Sequence, residues 1–141
     1  STSNVRYVPE LTGTYDLLIA TDVFEHVPDP IGLVEVTASH LRMGGDYLMA
    51  NCFAPVIQCH LPQLFHLQIG WSQVMRSMGL EPQKKVQYGR SYVRQGELDE
   101  SAARSAELLA RKIYPWIRWL PIGSARTGQV AVRLLSSVVS R

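Results

Sequence analysis

Cysteine is scarce: Cys52 and Cys59 are the only two in 141 residues. Two thiols do not make a disulfide scaffold, so a reducing, cytoplasmic compartment is the expectation. Long apolar runs are missing too. No stretch approaches the roughly 18 uninterrupted apolar residues of a spanning helix. Ser1 to Arg6 are polar, without the apolar core of a secretory leader. The first residue is Ser, not Met, so a processed N-terminus or a piece of a longer protein is expected. There are no internal repeats and no low-complexity runs. What remains is 46% hydrophobic and 18% charged, the composition of a globular domain. At this length one domain is the default, burying about two-thirds of the unfolded surface.

Charge of one sign is not in excess overall, since the net charge is +2, but it is unevenly spread. Residues 1–83 carry three basic and eight acidic side chains, net −5; residues 84–141 carry eleven basic and four acidic, net +7. The basic third reads as a solvated helix face or as a surface for an anionic partner. Its Lys and Arg are scattered and form no stripe, which argues against nucleic acid.

Val5 to Val8 suggests a short strand ended by Pro9. Tyr15 to Ala20 is an apolar run without alternation, the pattern of a parallel strand buried on both faces. Asp29-Pro30 announces a helix: Asp accepts from first-turn amides and Pro suits the first helical position. Ile31, Val34, Ala38 and Leu41 then form one stripe. Gly44-Gly45 is read as the stop, and Asp46 to Ala50 as a second strand. Strand, helix and strand within residues 15–50 make a βαβ unit, with a right-handed crossover. A further helix is expected from Leu67 to Met78, with Trp71, Val74, Met75 and Met78 on one face and Gly79 as cap. Lys85 to Val93 reads as a late strand. Asp99 caps a helix running to Ile113 and ended by Pro115, with Ala102, Ala106, Leu109 and Ile113 inward. Glu100–Arg104 and Glu107–Arg111 are favourably oriented i,i+4 pairs. Gln129 to Leu135 is left as strand or helix. The domain division is a partial α/β core over 1–98, then a C-terminal helix and aromatic-basic tail over 99–141 packed on it.

The run Tyr15-Asp-Leu-Leu-Ile-Ala-Thr-Asp-Val-Phe-Glu-His-Val-Pro-Asp-Pro30 resembles the class I S-adenosylmethionine-dependent methyltransferases. It is most similar to the ubiquinone-biosynthesis-type, small-molecule branch. Leu41-Arg-Met-Gly-Gly-Asp-Tyr-Leu48 continues the likeness, which covers residues 15–53. Phe65 to Leu80 looks like a later helix of the family. The resemblance implies a Rossmann-like α/β methyltransferase sheet in the strand order 3-2-1-4-5-7-6, with Tyr15 to Ala20 as the fourth strand. It implies S-adenosylmethionine as cofactor, held near Ala20, Thr21, Asp22 and Val23 at that strand's carboxyl end. It places His26 where cofactor meets acceptor, and Asn51, Cys52 and Phe53 toward a small-molecule acceptor. An oxygen acceptor is favoured. His26 reads as the general base that such an acceptor needs, or as a contact holding the loop after the strand. Asp22 reads as a pocket residue or a turn acid, and Glu25 as a loop fixer.

The sheet lacks its first strands and glycine-rich turn: no strand–GxGxxG–helix precedes residue 15, nor does an acid for the ribose hydroxyls. Tyr15 to Ala20 then becomes an apolar sheet edge. A truncated enzyme, a domain completed by a partner such as a second copy (a homodimer), and a non-catalytic interaction module all satisfy this. Cys52, Cys59, His60 and His66 match no usual zinc spacing, so no metal is expected there. An adjacent Cys–His nucleophile is disfavoured because neighbouring side chains diverge. Arg111 to Pro121 interleaves aromatics with bases. It is read as packing against the sheet, as a cover over an apolar substrate, as a dimer contact, or as peripheral membrane contact.

Overall fold

The computed structural model describes residues 7–86 and 89–117. Strand β1 (Tyr15–Thr21) passes through a 3-10 turn at Phe24–His26 into helix α1 (Pro30–Ser39), which returns the chain to strand β2 (Leu41–Ala50). β1 and β2 pair in parallel, from Leu17 opposite Asp46 to Thr21 opposite Ala50. The local signals for this unit hold. Asp29 Oδ1 accepts from the Gly32 amide at 3.1 Å, and Pro30 opens the helix. Ile31, Val34, Ala38 and Leu41 are all fully buried, so the stripe is the face that packs on the sheet.

The chain continues through a 3-10 turn at Pro62–Leu64, helix α2 (Leu67–Ser77), strands β3 (Leu80–Val86) and β4 (Gly89–Arg94), and helix α3 (Glu100–Ile117). The sheet order is β1-β2-β4-β3, with β4 antiparallel to both neighbours. The described residues thus form a mixed α/β fold: an open, mixed four-stranded sheet and three α-helices. None of those helices is long and apolar enough to cross a membrane.

Several expectations change. First, β1 is not buried on both faces. It lies at the edge of the described sheet, as expected, but its faces are open there, with Leu17 51% and Ile19 62% exposed. The unalternated run marks residues able to sit in a buried strand, but burial needs a covering layer that the described residues do not supply.

Second, Gly44-Gly45 does not stop α1, which has already ended at Ser39. The glycines lie inside β2, where the register slips by several residues between Tyr15 and Leu17 of β1. Gly44 adopts φ +73°, a conformation glycine takes cheaply and one that lets the strand bulge. The carbonyls where α1 passes into β2 are also met from the neighbouring strand β4. Arg94 Nη1 donates to Leu41 O at 2.6 Å and to Ala38 O at 3.1 Å. A cation at a helix carboxyl end also suits the dipole.

Third, Lys85 to Val93 is not one strand; it belongs to β3 and β4, an antiparallel pair in which Val86 opposes Gly89. Fourth, α3 turns its Ala103–Glu107–Ala110 edge inward, leaving Ala102, Ala106, Leu109 and Ile113 half-buried beside it. The reason is close packing. A Cβ added at Gly70 of α2 would sit 2.5 Å from Ala110 Cβ, so the two helices meet on small residues and the larger side chains flank the seam. Pro115 lies within α3 and does not end it. Its missing amide costs one hydrogen bond in the exposed last turns. Asp99 Oδ1 caps this helix on the Ala102 amide at 2.8 Å, and both expected i,i+4 pairs form. Tyr7 and Val8 are not in a strand. Val5, Arg6 and Gln129 to Leu135 lie outside the described residues.

Candidate functional site

The carboxyl ends of β1 and β2 point the same way, because the strands are parallel, and the segments leaving them fold over each other. After Thr21 the chain turns sharply. Asp22 adopts φ +53°, and its amide donates to Ala50 O at 2.9 Å, extending the ladder by one bond. Asp is one of the few residues that tolerate this left-handed conformation, so Asp22 acts here as a turn residue. The 3-10 turn follows and delivers Phe24 and Glu25 inward.

The segment after β2, residues 51–61, is tied to that turn by side-chain and backbone bonds. Glu25 Oε1 accepts from the Cys52 amide at 2.8 Å, and Glu25 O accepts from the Leu61 amide at 3.1 Å. His26 Nδ1 bonds to Cys59 O at 3.1 Å, and His60 Nδ1 bonds to Ala54 O at 2.6 Å. The rings of His26 and His60 lie 5.0 Å apart, edge to face. Glu25 is 1% exposed, and its second oxygen, Oε2, has no hydrogen-bond partner.

Two cavities flank this turn. One, of about 370 Å³, is lined by Leu18, Ala20, Thr21, Val23, Phe24 and Tyr47 among others. It takes in three of the four expected cofactor residues. The other, of about 470 Å³, is lined by Asn51, Cys52, Phe53, Trp71, Arg90 and Tyr92 among others. It takes in the expected acceptor residues. No residue lines both cavities, and neither is lined by Asp22 or His26. An aromatic wall stands between them. Phe24 is 5.4 Å from Trp71 and 6.2 Å from Tyr47, and Phe53 is 5.0 Å from Trp71, centroid to centroid. Asn51 is fixed in that wall. Its amide, oriented by its partners, accepts from Trp71 Nε1 at 3.0 Å and donates to Ala50 O at 3.1 Å.

Three features of the region carry little signal in sequence. One is the gathering of the adjacent Glu25 and His26 with His60, more than thirty positions further along the chain. The pairing of Cys52, Cys59, His60 and His66 considered from spacing does not occur: Cys59 is exposed, and His66 points elsewhere. Second is the destination of His66. It is 4% exposed, and its Nε2 lies 3.1 Å from Glu107 Oε1 of α3. Glu107 also holds Arg111 at 3.2 Å. An i,i+4 pair on a helix reads as surface; here its acid is also the partner of a buried ring. Third is Arg104, which reaches Asp29 Oδ2 at 2.7 Å. The Arg104 guanidinium holds the Asp29 carboxyl below its ordinary range, so the cap of α1 is also the tie between α1 and α3.

Burial pushes the His66 imidazole below its usual range, against the opposing pull of Glu107. The folded chain therefore keeps His66 neutral, while the unfolded chain protonates it near its ordinary pKa of about 6.5. Stability is retained above that pH and falls as pH drops below it. Urea unfolding at pH 7.5 and pH 5.5 should show a larger loss of midpoint for the native chain than for His66→Gln. Equal losses would remove His66 as the cause.

In the aromatic-basic segment, Trp116 is 84% exposed, so packing against the sheet does not describe that residue. Residues 118–121 lie outside the described residues. No family model, curated protein or solved structure matches this chain.

Proposed function

We propose that the chain carries the carboxyl-terminal half of a class I methyltransferase sheet, and that it serves methyl transfer from S-adenosylmethionine to an oxygen of a small acceptor. The observation that carries this reading is the strand order. β1-β2-β4-β3 is not the order of the chain, because its last two members are exchanged. Placed on the family's order 3-2-1-4-5-7-6, it is the run 4-5-7-6, starting at the strand that the motif Tyr15 to Pro30 assigns as fourth. A cavity beside Ala20, Thr21 and Val23 at the carboxyl end of β1 lies where open α/β sheets take ligands.

In this reading Ala20, Thr21 and Val23 line the methionine end of the cofactor, Asp22 shapes the turn, and Asn51 and Phe53 face the acceptor. In-line displacement at a sulfonium needs alignment more than covalent help. The aromatic wall that separates the two cavities must then open, or a part of the site must be built by residues outside those described. In this reading a glycine-rich turn and a ribose-binding acid, which this sequence does not carry, come from further chain or from a partner of different sequence pairing at the edge of β1. His26 holds the loop through Cys59 and keeps Nε2 for proton transfer.

A non-catalytic interaction module is the second reading. The exposed Leu17 and Ile19 on an edge strand favour it, since such an edge invites another strand. Calorimetric titration separates the two. Heat with S-adenosylmethionine and S-adenosylhomocysteine, from this chain or from one extended at its N-terminus, is the outcome expected for the enzyme. No heat from either form would overturn the methyl-transfer reading and leave the module.

A further inference from the structure

We propose that Glu25, His26 and His60 form a three-ligand site for a divalent transition-metal ion of the zinc class. The inference goes beyond methyl transfer and does not depend on it; with an ion on Nε2, His26 serves as a ligand and not as the free base. One potential ligand atom from each of the three lies within 4.8 Å of the others. The Nδ1 atoms of both histidines are engaged by backbone carbonyls, Cys59 O for His26 and Ala54 O for His60. A carbonyl only accepts, so Nδ1 carries the proton in each ring and Nε2 keeps its lone pair. This is the outer-partner arrangement that orients metal-binding imidazoles and sets their tautomer.

Glu25 supplies the independent observation. Its carboxylate is buried, one oxygen is held by the Cys52 amide, and Oε2 has no partner. A buried carboxylate oxygen without a donor is costly, and a cation bound to it removes the cost. Two imidazoles and one carboxylate select a borderline ion over Mg²⁺ or Ca²⁺, which prefer all-oxygen sets. Three protein ligands also leave a coordination position for a small molecule, as in catalytic and not structural zinc sites. Zinc–nitrogen bonds of about 2.0–2.1 Å in a tetrahedron put ligand atoms roughly 3.4 Å apart. The cluster must therefore tighten modestly. His26, on a three-residue turn, and His60, in a loop, are placed to allow that.

The test is titration of the untagged, metal-free chain with Co²⁺ in the absence of S-adenosylmethionine, followed by competition with Zn²⁺. We expect one equivalent of Co²⁺ to give visible d–d absorption, displaced by Zn²⁺. His26→Gln, His60→Asn and Glu25→Gln should each weaken binding by more than the roughly 10–100-fold that loss of an outer partner costs. The Glu25→Gln amide keeps an acceptor for Cys52, which protects the fold, and circular dichroism checks each variant. His40→Asn, outside the cluster, should bind as the native chain does. Absence of the absorption in a folded native chain would overturn the proposal. So would full binding by folded His26→Gln and His60→Asn. Because no cofactor is present, a chain that never binds S-adenosylmethionine can still pass.

Discussion

Phe24→Ala is expected to lower the unfolding free energy by about 3–5 kcal/mol. Phe24 is 1% exposed and meets Tyr47 of β2 and Trp71 of α2. It stands on the 3-10 turn after β1, so its ring couples the βαβ unit to the second half of the chain. Truncation deletes a large buried side chain and leaves a hole that this turn cannot collapse to fill, since Glu25 beside it is tied to Cys52 and Leu61. Aromatic edge and tilted contacts add to the loss. A domain of this size has only about 5–15 kcal/mol in total, so the variant sits near the threshold of folding. Denaturation in urea should show a lower midpoint with an unchanged slope. Phe24→Leu, which keeps most of the volume, should recover much of the stability. A loss below about 1 kcal/mol for Phe24→Ala would mean that the aromatic wall is not part of the core.

If His26 is the base, His26→Ala, in a form of the protein that transfers methyl groups, lowers turnover by about 10²–10⁴-fold with little change in cofactor affinity. The reason is geometric. The Cys59 carbonyl occupies Nδ1 and leaves Nε2 as the basic nitrogen. His60→Asn separates two ways of causing that loss. If His26 is a base acting alone, His60→Asn alters the rate much less than His26→Ala. If the two rings share an ion, both variants lose activity together and both lose Co²⁺ absorption. An unaltered rate in His26→Ala would remove the residue from the mechanism.

Much of the first half of the fold was legible because its signals are local. Asp29-Pro30 states a helix start within two residues, and Ile31, Val34, Ala38 and Leu41 repeat at the helix period; all four are buried. Tyr15 to Ala20 is apolar enough to be a strand whatever lies beside it. The same locality explains the errors. Gly44-Gly45 has the chemistry of a left-handed stop, and a bulge inside β2 uses that chemistry as well as a helix end does. The inward edge of α3 follows from Gly70 admitting Ala110, a fact about a different helix. Periodicity along α3 favoured the more apolar stripe of Ala102, Ala106, Leu109 and Ile113, because the edge that turns inward carries the acid Glu107 between two alanines.

The order of residues along the chain determined the helix caps, the parallel pair and the motif from Tyr15 to Pro30, because each depends on neighbours a few positions away. Tertiary structure alone decided that Glu107 serves a buried His66, and that Glu25 and His26 meet His60. The meeting of Glu25 and His26 with His60 depends on how the segment after β2 returns across the turn after β1. That path is set by bonds between residues far apart in sequence, Glu25 to Cys52 and His26 to Cys59, which no local pattern encodes.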